Sequence, residues 1–186
     1  MKQTTDIGRL VEAAQRGDGQ ACGVLVKRCG QPVFSLLLRM GIDTLDAEEL
    51  TQDVLLRGLQ HIDDYDPIQA SLPTWFCRIA YRMALNHLRR KEVQPLSVDA
   101  DEGVTDEANL QMVRHYQEPD NSMVDRLQEA IGLLDPDEQT LISLFYYDEL
   151  PLRDIAYITG QSANALAVRL YRIRQKLHKW IKHESS

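Results

Sequence analysis

The chain has 186 residues, 44% of them apolar, and a net charge of −7. That length suits one large domain or two small ones with real cores, and the acidic balance argues against a protein that coats nucleic acid everywhere. No run approaches the roughly 18 apolar residues of a membrane-spanning helix, and MKQTTDIGRLVEAAQRGD at the N-terminus lacks an apolar signal core; the expectation is a cytoplasmic protein with no membrane insertion.

Apolar residues recur at three and four, and strand-like alternation is absent, so the expected fold class is all-α. A first helix is expected from Asp6 to about Arg16, ending at Gly17-Asp18-Gly19. A second runs from Ala21 to about Met40, with Gly30 and Pro32 bending it and Gly41 closing it. A third spans Asp46 to Ile62, a loop follows over Asp64 to Pro73, and a fourth helix runs from Thr74, as N-cap, to about Lys91.

From Glu92 to Asn121 the character changes. This stretch is acidic, carries two prolines and lacks a sustained apolar face, so it reads as a flexible linker with at most a short helix near Leu110–Tyr116. Helices resume over Ser122–Leu134, then from Asp135-Pro136 (cap and first helical position) to about Tyr147, then Leu152–Thr159, and from Ser162 to about Lys182. The expected domains are therefore 1–91 and 122–186, joined by 92–121.

Charge is unevenly placed. Glu92 to Glu129 holds ten acidic and two basic residues, whereas Arg169 to Lys182 holds six basic residues and no acid. A basic C-terminal helix beside an acidic middle points to local affinity for phosphates. Cys22, Cys29 and Cys77 make neither a disulfide framework nor a metal pattern, and reduced, partly buried thiols are expected. No nucleophile–base pair, metal cluster or phosphate-binding glycine loop supports an enzyme, and no metal or cofactor is expected.

Two stretches carry nucleic-acid chemistry of different kinds. Leu152–Thr159, the turn Gly160-Gln161-Ser162 and a basic helix have the spacing of a helix-turn-helix. Leu166, Leu170, Ile173, Leu177 and Trp180 form its core stripe. Asn164, Ala167, Val168 and Tyr171 lie opposite, small enough to enter a major groove, with Arg169, Arg172, Arg174 and Lys176 flanking toward phosphates. Asn164 is the obvious hydrogen-bonding base reader, and Ala167 and Val168 suit thymine methyls.

On the helix from Thr74, the residues Trp75, Arg78, Arg82, Asn86 and Arg89 fall within about a quarter turn at about 100° per residue. An aromatic interleaved with arginines suits single-stranded DNA, with bases on the ring and guanidinium groups on the backbone; Arg90 and Lys91 extend the charge. A solvated basic face with Trp75 in the core stands as the alternative. On the preceding helix Asp46, Glu49 and Asp53 form an acidic edge beside Ala47, Leu50 and Val54, which suits a basic protein partner or a plain solvated face.

Together these blocks resemble the extracytoplasmic-function sigma factors, the small two-domain initiation subunits of bacterial RNA polymerase. RGDGQACGVLVKRCGQPVFSLLLRMG is similar to the family's first segment, DAEELTQDVLLRGLQHIDDYDP to its core-binding helix, and TWFCRIAYRMALNHLRRK to its promoter-opening helix. LLDPDEQTLISLFYYDELPLRDIAYITGQSANALAVRLYRIRQKL is similar to its −35-reading domain.

The resemblance implies that Asp46, Glu49, Gln52 and Asp53 dock on the clamp coiled coil of the polymerase's largest subunit. Tyr65, Asp66, Trp75, Arg78, Arg82, Asn86, Arg89 and Arg90 would hold the melted −10 strand, with a flipped base pocketed by the Tyr65–Pro73 loop. Ser162, Asn164, Ala167, Val168, Arg169 and Arg172 would contact the −35 duplex. Implied partners are the polymerase core (clamp and flap), promoter DNA and an anti-sigma factor.

The recognition helix departs from the family's usual T-V-K-S-R-L by reading Ala165-Leu166-Ala167-Val168-Arg169-Leu170. Cys22 stands for the usual Phe, Arg82 for Asn and Asn86 for Asp. A stand-alone helix-turn-helix regulator, dimeric on a palindromic site, remains the alternative and leaves the acidic edge and the Trp–Arg face unexplained.

Overall fold

A computed structural model describes residues 2–93 and 122–183. The described residues contain no strand and fall into two helical groups. The first comprises α1 (Lys2–Gln15), α2 (Gly19–Arg39), α3 (Thr44–Gln60), a 3₁₀ turn at Ile62–Asp64 and α4 (Leu72–Val93). The second comprises α5 (Ser122–Gly132), α6 (Pro136–Ile142) with a π-helical continuation over Ser143–Tyr147, α7 (Leu152–Thr159) and α8 (Ala163–His183). The linker expected between them, from residue 94 onward, and its short helix near Leu110–Tyr116 lie outside the described residues.

Helix starts follow their caps. The Asp18 carboxylate accepts from the Gln20 and Ala21 amides at 2.8 and 3.2 Å, so α2 begins at Gly19, ahead of the expected Ala21. Asp43 accepts from the Asp46 amide at 3.0 Å and starts α3 at Thr44. Thr74 is not the cap of α4. The Ser71 hydroxyl accepts from the Thr74 amide at 3.3 Å, and Pro73 occupies a first-turn position where no donor is needed. Pro32 lies inside an unbroken α2.

α2 is the centre of the first group and packs against α1, α3 and α4. Its length and apolarity match those of a membrane span, and Leu25, Cys29, Val33, Leu36 and Leu37 are spent on the protein core. α3 approaches α4 closely only because Gly58 has no side chain: a Cβ there would lie 2.1 Å from the Phe76 ring, which is fully buried. In the second group α8 packs on α5, α6 and α7 through Leu166, Leu170, Ile173 and Leu177, the expected stripe, with Trp180 half-buried at its end.

The two groups touch. α7 packs on α4, the Arg39 guanidinium pairs with Asp148, and the Thr140 hydroxyl donates to the Arg39 carbonyl at 3.3 Å. Burial lowers the Arg39 pKa from its usual value, in keeping with a guanidinium held inside this seam.

Candidate nucleic-acid interfaces

The acidic edge of α3 divides into a braced end and a free stretch. Asp46 meets His87 Nε2 at 3.0 Å and Lys91 Nζ at 2.7 Å, and Lys91 also reaches Asp43 at 2.9 Å. These contacts tie the start of α3 to the end of α4. They hold the Asp43 carboxyl far below the usual range, through the Asp46 amide first and Lys91 second, and they raise Lys91. Glu49, Gln52 and Asp53 remain exposed, and Leu45 and Leu56 stand on the same face, 79% and 58% exposed.

The face of α4 expected to bind single strands is more covered than its arginine spacing suggests. Trp75 keeps only 7% exposure. Its ring meets Tyr65 edge-on at 5.7 Å and Phe76 at 5.2 Å, so it fastens the loop to the helix instead of offering an open stacking surface. Tyr65 and Asp66 also shape that loop. The Tyr65 hydroxyl donates to the Ala70 carbonyl at 3.2 Å, and burial raises its pKa. Asp66 accepts from the Ile68 amide at 2.9 Å and from Gln69 Nε2 at 3.1 Å. Arg82, Asn86, Arg89 and Arg90 are exposed, as the spacing requires. Arg78 is half-buried, with its guanidinium 4.5 Å from the centre of the Tyr157 ring of α7. Arg57, Gln69, Arg78, Arg82 and Tyr157 line a cavity of about 400 Å³ there, with Trp75 at its wall.

The helix-turn-helix is built as expected. Gly160 ends α7 with φ +74°, a left-handed conformation that a side chain would strain, and the Ser162 hydroxyl caps α8 by accepting from the Ala165 amide at 3.2 Å. Arg169 is half-buried and donates to Gln161 Oε1 at 3.1 Å, so it fixes the turn. Ala167 is half-buried on the flank of α8, because the core stripe lies about a quarter turn from it; Ala165 takes the exposed position. Asn164, Val168, Tyr171 and Arg172 face outward.

Three features were not legible in the sequence. Tyr157 over Arg78 is one. A second is a cleft of about 850 Å³ in the seam, where Arg89 and Arg169 share walls with Asp135, Asp137 and Glu138. The third is an apolar groove of about 410 Å³ between α5, the π turn and the end of α8, lined by Leu127, Ile131, Tyr146, Leu177 and Ile181. Cys29 and Cys77 are buried, and desolvation pushes both thiols up to about 12, which keeps them protonated and poorly nucleophilic. Among the described residues no group of His, Cys, Asp and Glu side chains could hold a metal ion.

A first helical unit with an acidic edge and a basic face on α4, followed by a helix-turn-helix, is the layout that the family matches explain. Sigma-70 region 2 matches residues 25–93 and Sigma-70, region 4 matches residues 125–177. The chain belongs to the sigma-70 family, among its extracytoplasmic-function members. It is 26% identical over 183 residues to the ECF RNA polymerase sigma factor SigW of Bacillus subtilis, covering 95% of this chain and 97% of that one. It is 27% identical over 176 residues to the ECF RNA polymerase sigma-E factor of Escherichia coli, covering 90% of each. In fold it is similar to CnrH, solved in complex with the cytosolic domain of CnrY, with a TM-score of 0.62 at 23% identity over 94% of this chain and 96% of that one. It also resembles the sigma factor RpoE solved with the anti-sigma factor NepR from Bartonella quintana, with a TM-score of 0.57 at 17% identity over 88% and 95%.

Proposed function

We propose that this chain is an alternative sigma factor that binds the core of bacterial RNA polymerase and directs it to promoters. It reads a −35 duplex through α8 and holds the melted −10 strand on α4. The observation that carries this reading is the pairing, in one chain, of a helix-turn-helix with a second basic helix that shares its unit with an acidic, partly apolar helix edge. A stand-alone regulator needs only the first of these.

The polymerase contact would be the exposed face of α3: Glu49, Gln52 and Asp53 for a basic partner, with Leu45 and Leu56 as apolar anchors. Asp46, held by His87 and Lys91, acts as the brace that presents this face. The fit is to the clamp coiled coil of the largest subunit. The apolar groove at Leu127 and Tyr146 suits a helical partner such as the polymerase flap or an anti-sigma factor. Arg78, Arg82, Asn86, Arg89 and Arg90 would track the strand backbone, while Trp75, Tyr65 and Asp66 shape the pocket for a flipped base. Ser162, Asn164, Val168 and Arg172 would meet the −35 duplex directly, Ala167 from the flank and Arg169 through the turn it fixes.

The chain works by binding, not catalysis. It favours the unpaired −10 strand over the duplex and so shifts the melting equilibrium, while RNA synthesis belongs to the polymerase, in the cytoplasm. The two units must part to do this. The −35 and −10 elements lie roughly 25 base pairs apart, on the order of 85 Å of duplex, whereas α7 of the duplex reader rests on α4 in the free chain.

The test is reconstituted initiation with purified chain and bacterial core polymerase on a promoter library, beside a Glu49→Lys/Asp53→Lys variant. Promoter-dependent transcripts that the variant abolishes, with its fold intact by circular dichroism, are expected. Duplex binding without any binding to core would instead identify a stand-alone regulator.

A further inference from the structure

The outward face of the recognition helix carries an exposed valine and an exposed tyrosine among its polar residues. The core stripe of α8 is complete without Val168 and Tyr171, because Leu166, Leu170 and Ile173 fill it with at most 2% exposure. Val168 and Tyr171 instead stand 49% and 59% exposed, on the side of the helix away from that stripe. Along one outward row the side chains run Asn164, Val168, Arg172: an amide, an isopropyl group and a guanidinium. The Ser162 cap and the Arg169–Gln161 bond fix this row relative to the turn.

We propose that this chain reads its −35 element through thymine C5-methyl groups, with Val168 as the specificity-determining residue, Tyr171 beside it, and Asn164 as the single amide reader. The proposal rests on α8 being the duplex reader and deepens that assignment. The chemistry follows from what the major groove displays. Of the four unmodified bases only thymine offers a methyl there; guanine offers two acceptors and cytosine a donor. An isopropyl group pressed on a G·C pair strips water from those polar edges and returns no hydrogen bond, which is a penalty. On an A·T pair it covers the methyl and gains apolar burial. A valine at the centre of the row therefore both selects thymine and rejects G·C. Asn164, one turn earlier, has the geometry for the N6/N7 edge of adenine, and Arg172, one turn later, suits guanine or a phosphate. The tip is thus suited to a short A·T-containing step flanked by a guanidinium contact.

The experiment uses the full chain with core polymerase. A −35 element is first selected from a promoter library. Each thymine in it is then replaced singly by deoxyuridine, which removes only the methyl, and promoter binding is measured for the wild type, Val168→Ala and Val168→Ser. The expected result is a loss of about fourfold on deoxyuridine replacement at one position or two adjacent ones, the value of burying about one methyl-sized group. Val168→Ala and Val168→Ser should erase that loss at one position, leave the other thymines unaffected, and accept C there more readily. Since Val168 is exposed, both variants should keep the wild-type melting temperature. Indifference to deoxyuridine at every position, or a methyl dependence unchanged in both variants, overturns this inference alone, because promoter selection has then succeeded. Failure of the chain and polymerase to select any element overturns the inference together with the function it rests on.

Discussion

The two helices proposed to face DNA are presented in opposite ways. On α8 the reading row is bare, capped by Ser162 and held in register by Arg169. On α4 the aromatic at the head of the arginine row is buried, and Arg78 lies under Tyr157 from the other unit. The same chain therefore offers the proposed duplex reader freely and keeps part of the proposed strand reader covered by its own helix-turn-helix unit. A charged groove competent for single strands binds nucleic acid with little regard to sequence. Covering it in the free chain would suppress binding away from promoters, and uncovering it would belong to the complex with polymerase.

The sharpest way to break this contrast is to damage the unit that carries α4. Gly58→Ala puts a methyl 2.1 Å from the Phe76 ring, between two helices that have no slack. Overpacking of this kind costs about 1–3 kcal/mol, or a fall of several degrees in melting temperature by calorimetry. Duplex binding through α8 should survive, and strand binding should weaken. Next in size, Tyr157→Ala removes the ring over Arg78. A cation–π contact of about 1 kcal/mol translates into roughly fivefold tighter binding of a single-stranded oligonucleotide by the free chain, read by fluorescence anisotropy, with duplex affinity unchanged. Asp148→Asn loosens the same seam through Arg39 and should give a smaller gain, about threefold or less, because both side chains keep partial contact with water.

The smallest effect concerns the brace behind the acidic edge. The folded pKa of Asp43 lies below its unfolded value of about 3.9, so its contribution is complete above about pH 4 and fades as pH falls further. The folded pKa of Lys91 lies above its unfolded value of about 10.4, so its share is complete below that and is lost in strong alkali. Asp43→Asn keeps an amide acceptor for the α3 cap and should remove only the share of the acid limb that Asp43 contributes. The cost near neutral pH is a few tenths of a kcal/mol, since the pair is well exposed and screened.

What was legible in the sequence is what is local. Caps, turns and apolar stripes fixed the helices to within a few residues, and the exposed row of α8 follows from its phase relative to Leu166 and Leu170. The Thr74 cap failed because Ser71 offers the same chemistry and Pro73 marks the first turn one step earlier. The wheel placed Trp75 among the arginines, but its burial depends on Tyr65 folding back through the loop, which no helical period contains. Asp46 reads as one member of an acidic edge until His87, 41 residues away, closes on it. Arg39 and Asp148 are 109 residues apart, across the linker, and nothing in the local pattern of either announces the pair. Long-range contacts decide which of the expected site residues are open, and these contacts lie beyond periodicity.

The most direct test is the distance between α4 and α7, measured by energy transfer between one dye on the exposed Asn86 position and one on the exposed Arg153 position. Free chain should give high transfer, and assembly with core polymerase and a promoter should abolish it, as the readers separate toward elements on the order of 85 Å apart. Transfer that stays high in a transcribing complex would contradict the account.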